Sequence, residues 1–181
     1  SIAIGPAPPD VVITEIMYNP DSDQPDWEWV EIYNPGDVAV DLSGYVLDDG
    51  NSIALGAANI VSGTVPAHGS AVLFNADDID AAQFQAAWGA HIRLVEVSNW
   101  SATALGNSGD RVGIWRDYVS YQGDHVDHQR TIDDVAYGDG AVWPAGDGMA
   151  SMYLVDPSLD NTVGANWLLS ALGQPATHQS A

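Results

Sequence analysis

The side chains of this chain that could do chemistry are mostly oxygen donors. In the loop PDSDQPDWE, Asp21, Asp23, Asp26 and Glu28 stand at i, i+2, i+5 and i+7. Alternating aspartates let a short loop wrap Ca²⁺, a hard cation that takes about six to eight oxygens. The helix–loop–helix calcium pattern is not met, because Pro25 takes a ligand place and no glycine follows at the turn. A second oxygen-rich loop, VDPSLDNTVGANW, carries Asp156, Asp160 and Asn161. Both loops are expected to be places for structural calcium. The plainer reading is solvated loops, with Asx side chains closing their own turns. Asp77, Asp78 and Asp80 precede a helical pattern, where unsatisfied N–H groups and the helix dipole favour negative charge. They need no metal.

Other constellations are thinner. GDHVDH places His125 and His128 three apart beside Asp124 and Asp127. Two imidazoles could begin a zinc site, but no third ligand is fixed by the spacing. A metal-dependent hydrolase built near His125 and His128 is therefore an alternative, and a solvated hairpin tip is the competing account. No G-x-S-x-G elbow occurs, and no cysteine is present to act as nucleophile or thiolate ligand. Glu15 lies among Val11, Ile13 and Met17 in a strand-like run. A buried carboxylate there needs a partner, and an arginine is the expected one. Trp27, Trp29 and Tyr33 alternate on one strand face with Glu31. They are expected to fill the core, as aromatics usually do. An exposed platform for stacking sugars, as in a carbohydrate-binding module, is the alternative.

Charge removes some function classes. The 181 residues carry 25 carboxylates against four arginines and no lysine, a formal net charge of −21. Binding to a nucleic-acid backbone relies on lysine and arginine displacing counterions, so such binding is not expected, nor is binding to an anionic membrane. No stretch approaches the roughly 18–20 apolar residues of a membrane span. The opening SIAIGPAPPD has the look of a linker, as if a domain had been cut from a longer protein.

The elements that must position these residues are mostly strands. Val11 to Tyr18, Trp27 to Asn34, Val38 to Leu42, Tyr45 to Leu47, Ser70 to Asn75, Ile92 to Val97, Arg111 to Trp115, Tyr118 to Tyr121, Ile132 to Tyr137 and Ser151 to Val155 are strand candidates. Ile53, Leu55, Ile60 and Val65 are candidates for short edge pieces. One helix is expected, Ala81 to Trp88, after acidic residues and before Gly89. Many short strands between Gly, Pro, Asn and Asp turns indicate an antiparallel sandwich or barrel.

The order of the motifs is more specific than any one of them. IMYNP is followed by WEWVEIYNPGDVAVDLSGYVLDDG, TVPAHGSAVLF, LGNSGDRVGIW, VAYGDGAVWPAGDGMASMYLVDPSLDN and NWLLSALGQP. Over residues 11–175 the set resembles the lamin tail domain family in its bacterial, secreted form. The resemblance implies an all-β, immunoglobulin-like antiparallel β-sandwich, here with one short helix inserted. It implies a linker over residues 1–10 and a tail over 176–181. It also implies a non-catalytic, extracellular or cell-surface module for interaction or attachment. The partner would be a protein, a cell-surface polysaccharide or other domains of the same parent chain. The family pattern supplies no catalytic residues. YQGDHVDHQRTI is longer than the family's usual connection at that place.

Overall fold

The computed structural model describes residues 10–21, 24–51 and 54–170. Among the described residues, eleven strands and two short α-helices follow in the order β1 (Val12–Met17), β2 (Trp29–Tyr33), β3 (Val40–Asp41), β4 (Val46–Asp48), β5 (Thr64–Val65), β6 (Ser70–Asn75), α1 (Ala81–Trp88), β7 (Leu94–Val97), β8 (Gly109–Trp115), α2 (Tyr118–Gln122), β9 (Asp133–Gly138), β10 (Met152–Leu154) and β11 (Trp167–Leu169). Six of the strands form one sheet in the order β11-β10-β1-β2-β6-β7, and β4-β8-β9 form a second. β3 and β5 make a separate ribbon. All neighbours are antiparallel except β6 and β7, which run parallel. A parallel pair needs a crossover, and α1 supplies it.

The main core lies between the two larger sheets. Ile13, Ile16, Val30, Ile32 and Leu73 from the first meet Leu47, Val112, Ile114 and Val135 from the second. Mostly β architecture with two short helices fits the expected immunoglobulin-like sandwich. The expectation of a single helix is corrected. Tyr118 to Tyr121, read as a strand, is α2, opened by Asp117, whose side chain accepts from Ser120 N. The run YVSY suits a strand by propensity, but Tyr118 and Tyr121 are spaced to share a helix face, and Asp117 is a good N-cap. α1 lies where the sequence placed it, with a reciprocal capping box between Asp80 and Gln83.

The outer face of the six-stranded sheet holds a second core. Met17, Trp29, Val72 and Phe74 are buried there under Phe84 of α1, with Trp27 and Trp88 packed alongside. Trp29 stacks edge-on against Phe84 and Trp88, at 6.3 and 5.6 Å between centroids. The aromatic face of β2 is thus core at Trp29, and half-buried at Trp27 and Tyr33.

β1 departs from simple alternation. Ile13 pairs with Ile32 and Glu15 with Glu31, with a register shift between them. The extra residue puts Ile13 and Ile16 on the inner face and sends Glu15 outward with Met17. Glu15 therefore does not lie among the inner apolar residues. The side chain of Ser151 donates to it at 2.5 Å. Two of the four arginines are engaged elsewhere: Arg111 pairs with Asp134 and Arg116 with Asp10. Of the other expected edge pieces, Ile53 lies outside the described residues. Ile60 forms a single bridge with Val97, and Val65 lies in β5.

Candidate functional site

Asp21, Asp26 and Glu28 of the first acidic loop belong to one end of the sandwich. The C-terminal ends of β1, β4, β6, β7 and β9 and the first residues of β2 and β8 point there, as the pairings of Met17 with Trp29, Trp29 with Phe74, and Gly109 with Gly138 require. The loops at this end are tied to one another. Asn75 Nδ2 donates to Pro25 O, Asn107 Nδ2 to Gln24 Oε1, and Tyr137 Oη to Gly106 O. The Asp21 amide donates to Gly148 O.

Glu28 anchors this end from beneath. It is 2% exposed, and its Oε2 accepts from Trp100 Nε1 at 3.0 Å and from Leu105 N at 2.8 Å. Burial pushes its carboxyl up to about 7, against the pull of those two donors, and Asp110 and Asp49 push the same way. Its place is structural: one carboxylate holds the segment 100–105 onto the start of β2. Asp77 adds a second tie, accepting from Trp100 N at 2.9 Å.

Around Glu28 the loop surface has one sign. Segments 18–28, 76–80, 98–110 and 139–148 contain no lysine or arginine. Asp21, Asp77, Asp78, Asp80, Asp139 and Asp147 are exposed there, and Asp26 and Asp110 are half-buried. Several of these carboxylates also order their own loops. Asp139 accepts from Tyr18 Oη and Gly146 N, while Asp147 accepts from Met149 N and Ala150 N. The two backbone donors hold the Asp147 carboxyl below its ordinary value. Asp23, the remaining member of the first loop, lies outside the described residues.

The second oxygen-rich loop is at the opposite end, so the two loops are not brought together. Asp156 Oδ1 accepts from the amide and hydroxyl of Ser158, and Asp160 Oδ1 from those of Thr162. These are Asx turns. Asn161 is buried, and its Nδ2 donates to Ile13 O at 3.1 Å and to Asp133 Oδ2 at 2.7 Å. It braces β1 against β9. Asp133, half-buried at that junction, is pushed up to about 6 by desolvation, with Ile13 N and Asn161 opposing.

The two histidines do not converge on an open position. His128 is turned inward and packs on Trp115, with centroids 4.6 Å apart, whereas His125 lies against Tyr121 at 5.4 Å. Among the described residues, no group of three or more His, Asp or Glu side chains is placed to hold a metal ion. No described tryptophan or tyrosine is exposed. The flat aromatic platform of a sugar-stacking site is therefore not present among them.

The sequence could show the first loop but not the end it belongs to. Asp21, Asp77, Asp110 and Asp139 come from four separate segments, and no spacing along the chain announces that they share one end. The only signal was the absence of basic residues from all four segments, which matters once the strands are known to end together. No curated protein matches the chain. The model of the Lamin Tail Domain covers residues 5–139 of 181, which takes in β1 to β9, both helices and most of the acidic loops. On that match and this sandwich, the chain belongs to the lamin tail domain family.

Proposed function

We propose that this domain is a non-catalytic interaction module of a larger extracellular bacterial protein, and that its acidic loop end docks a cationic protein surface. The observation that supports this most is the charge of that end: six exposed aspartates in three of its segments and a half-buried Asp110 in the fourth, with no lysine or arginine in any of the four. Charge of one sign concentrated on one surface steers and selects partners of the opposite sign. The interior carboxylates act differently. Glu28, Asp133 and Asp124 accept two or more hydrogen bonds each from the scaffold, which suits a rigid presenting module.

Calorimetric titration with a lysine-rich peptide, its glutamate-substituted counterpart and a neutral cell-wall polysaccharide tests the reading. The lysine peptide should bind, and the affinity should fall steeply as salt shortens the Debye length from about 30 Å at 0.01 M to about 8 Å at 0.15 M. Replacing Asp21, Asp139 and Asp147 together by Asn should weaken it at low salt. Binding of the polysaccharide with no response to the lysine peptide would contradict the reading.

A further inference from the structure

Residues 117–131 fold over the outer face of the three-stranded sheet. Val46, Leu55, Trp115 and Tyr121 are buried together beneath them. Two ionisable side chains lie in this interface with polar atoms that make no hydrogen bond: both ring nitrogens of His128 and Oδ1 of Asp48. His128 is 4% exposed and Asp48 is fully buried. The imidazole is walled by backbone. A Cβ on Gly50, where φ is +76°, would lie 2.2 Å from Nε2, and one on Gly113 would lie 2.7 Å from Nδ1. Gly113 is the cross-strand partner of both Asp48 and Asp134. The three positions form one row with His128 over its middle, because directly opposed residues share a sheet face.

We propose that residues 117–131 dock through a matched pair of buried titratable side chains, a neutral His128 imidazole and a protonated Asp48 carboxyl. On docking, the imidazolium gives up one proton and the Asp48 carboxylate gains one. No net proton is exchanged with solvent, and the pH dependences of the two groups cancel.

The surroundings support both halves. Facing His128 are Arg111 of β8, Asp134 of β9, Asp124 and His125 of its own turn, and the Asp48–Asp49 end of β4. Asp134 Oδ2 is 3.9 Å from Nδ1, but it already accepts from Arg111 Nε at 2.6 Å. Asp124 is occupied by Trp115 Nε1, Gln129 N and Arg130 N. Burial and then Arg111 hold His128 below its ordinary 6.5, with Asp134, Asp124 and the His125 backbone acting the other way. Asp48 meets the docked segment directly, accepting from Tyr121 Oη at 2.9 Å. Burial nevertheless pushes its carboxyl up to about 7 from an ordinary 3.8. Below pH 6.5 an undocked His128 takes a proton that the docked ring refuses, which weakens docking. Below about pH 7 a docked Asp48 holds a proton that the undocked carboxylate, down to pH 3.8, does not, which strengthens it. The windows overlap.

Amide hydrogen exchange on the full chain tests this, after correction for intrinsic rates. The reporters are Leu55 N–H, which donates to Tyr121 Oη across the interface, and the Gln129 and Arg130 amides. In the unaltered protein the opening constant should change by no more than about threefold between pH 5 and 7. In Asp48→Asn it should rise by up to about tenfold per pH unit as pH falls below 6.5. In His128→Phe it should rise by a similar factor per unit as pH rises toward 7. A flat profile in either variant, or slopes of the opposite sign, overturns the proposal. Proton NMR of the imidazole in the unaltered chain needs no variant. A neutral ring at pH 6 in the docked protein supports the pairing, and a protonated ring there overturns it.

Discussion

At the residue scale, the carboxylates divide by what they accept. Glu28 illustrates the buried class. Replacing it by Ala would leave Trp100 Nε1 and Leu105 N without their acceptor at a buried position, at a cost of roughly 1–3 kcal/mol. Chemical denaturation should show the loss as a lower midpoint. Glu28→Gln keeps one acceptor oxygen and removes the titration. Because the folded-state value of Glu28 is raised to about 7 from 4.5, its contribution to stability is fully present below pH 4.5 and is lost as pH rises through 7. The Gln variant should therefore lose less stability than the native chain between pH 5 and 8. Asn161 belongs with Glu28 in kind. Asn161→Ala removes the brace between Ile13 O and Asp133 and should cost roughly 1–3 kcal/mol by the same measurement. The sequence marked both residues as oxygen donors in acidic loops. Residue type showed that oxygen was concentrated in those loops. It could not show that Trp100, Leu105, Ile13 and Asp133 arrive from up to 148 residues away to claim Glu28 and Asn161.

At the element scale, what was legible depended on how local its cause was. α1 carries its own start and stop signals in Asp80, Gln83 and Gly89, and β6 is a six-residue run buried throughout. Both lie where the sequence put them. Three features were not legible. The register shift in β1 is set by how β2 pairs with it, so the outward turn of Glu15 is a property of two strands. α2 has a strand-like composition that tertiary packing on Trp115 overrides, with Tyr121 and Trp115 edge-on at 5.2 Å. β11 is three residues long, and its pairing with β10 defines it. The cap of α1 gives a clean test. Asp80→Ala should lower stability by about 1 kcal/mol by removing the acceptor for Gln83 N, with the sheets unchanged by circular dichroism.

At the scale of the whole molecule, charge is the dominant physical fact, with a net charge of −21, and it bears on stability. Burial raises the carboxyls of Glu28, Glu31 and Asp133 above their ordinary values. Glu31 is raised further by Glu15, its cross-strand neighbour, while Thr14 opposes. Each such group binds its proton more tightly folded than unfolded, so their joint contribution declines as pH rises from about 4 to about 7. Self-repulsion of a chain with net charge −21 adds to that decline. The melting temperature should therefore be higher at pH 6 than at pH 8. Added salt should recover part of the difference, as screening weakens the repulsion. Calcium and magnesium at equal ionic strength should raise it equally, since Glu28, Asp160 and Asn161 are already engaged by the protein. A specific rise with calcium, reversed by chelator, would instead show an ion held by these loops. The family's fold was legible at this scale because it rests on the order of many strands and turns. The acidic end was not, because it exists only where those turns meet. Amide chemical-shift mapping with the lysine-rich peptide asks where a cationic partner lands. Salt-sensitive shifts should be confined to the loops around Asp21, Asn107, Asp139 and Asp147. Shifts scattered over the whole surface, or gathered at the opposite end around Asp156 and Asp160, would contradict docking at the acidic end.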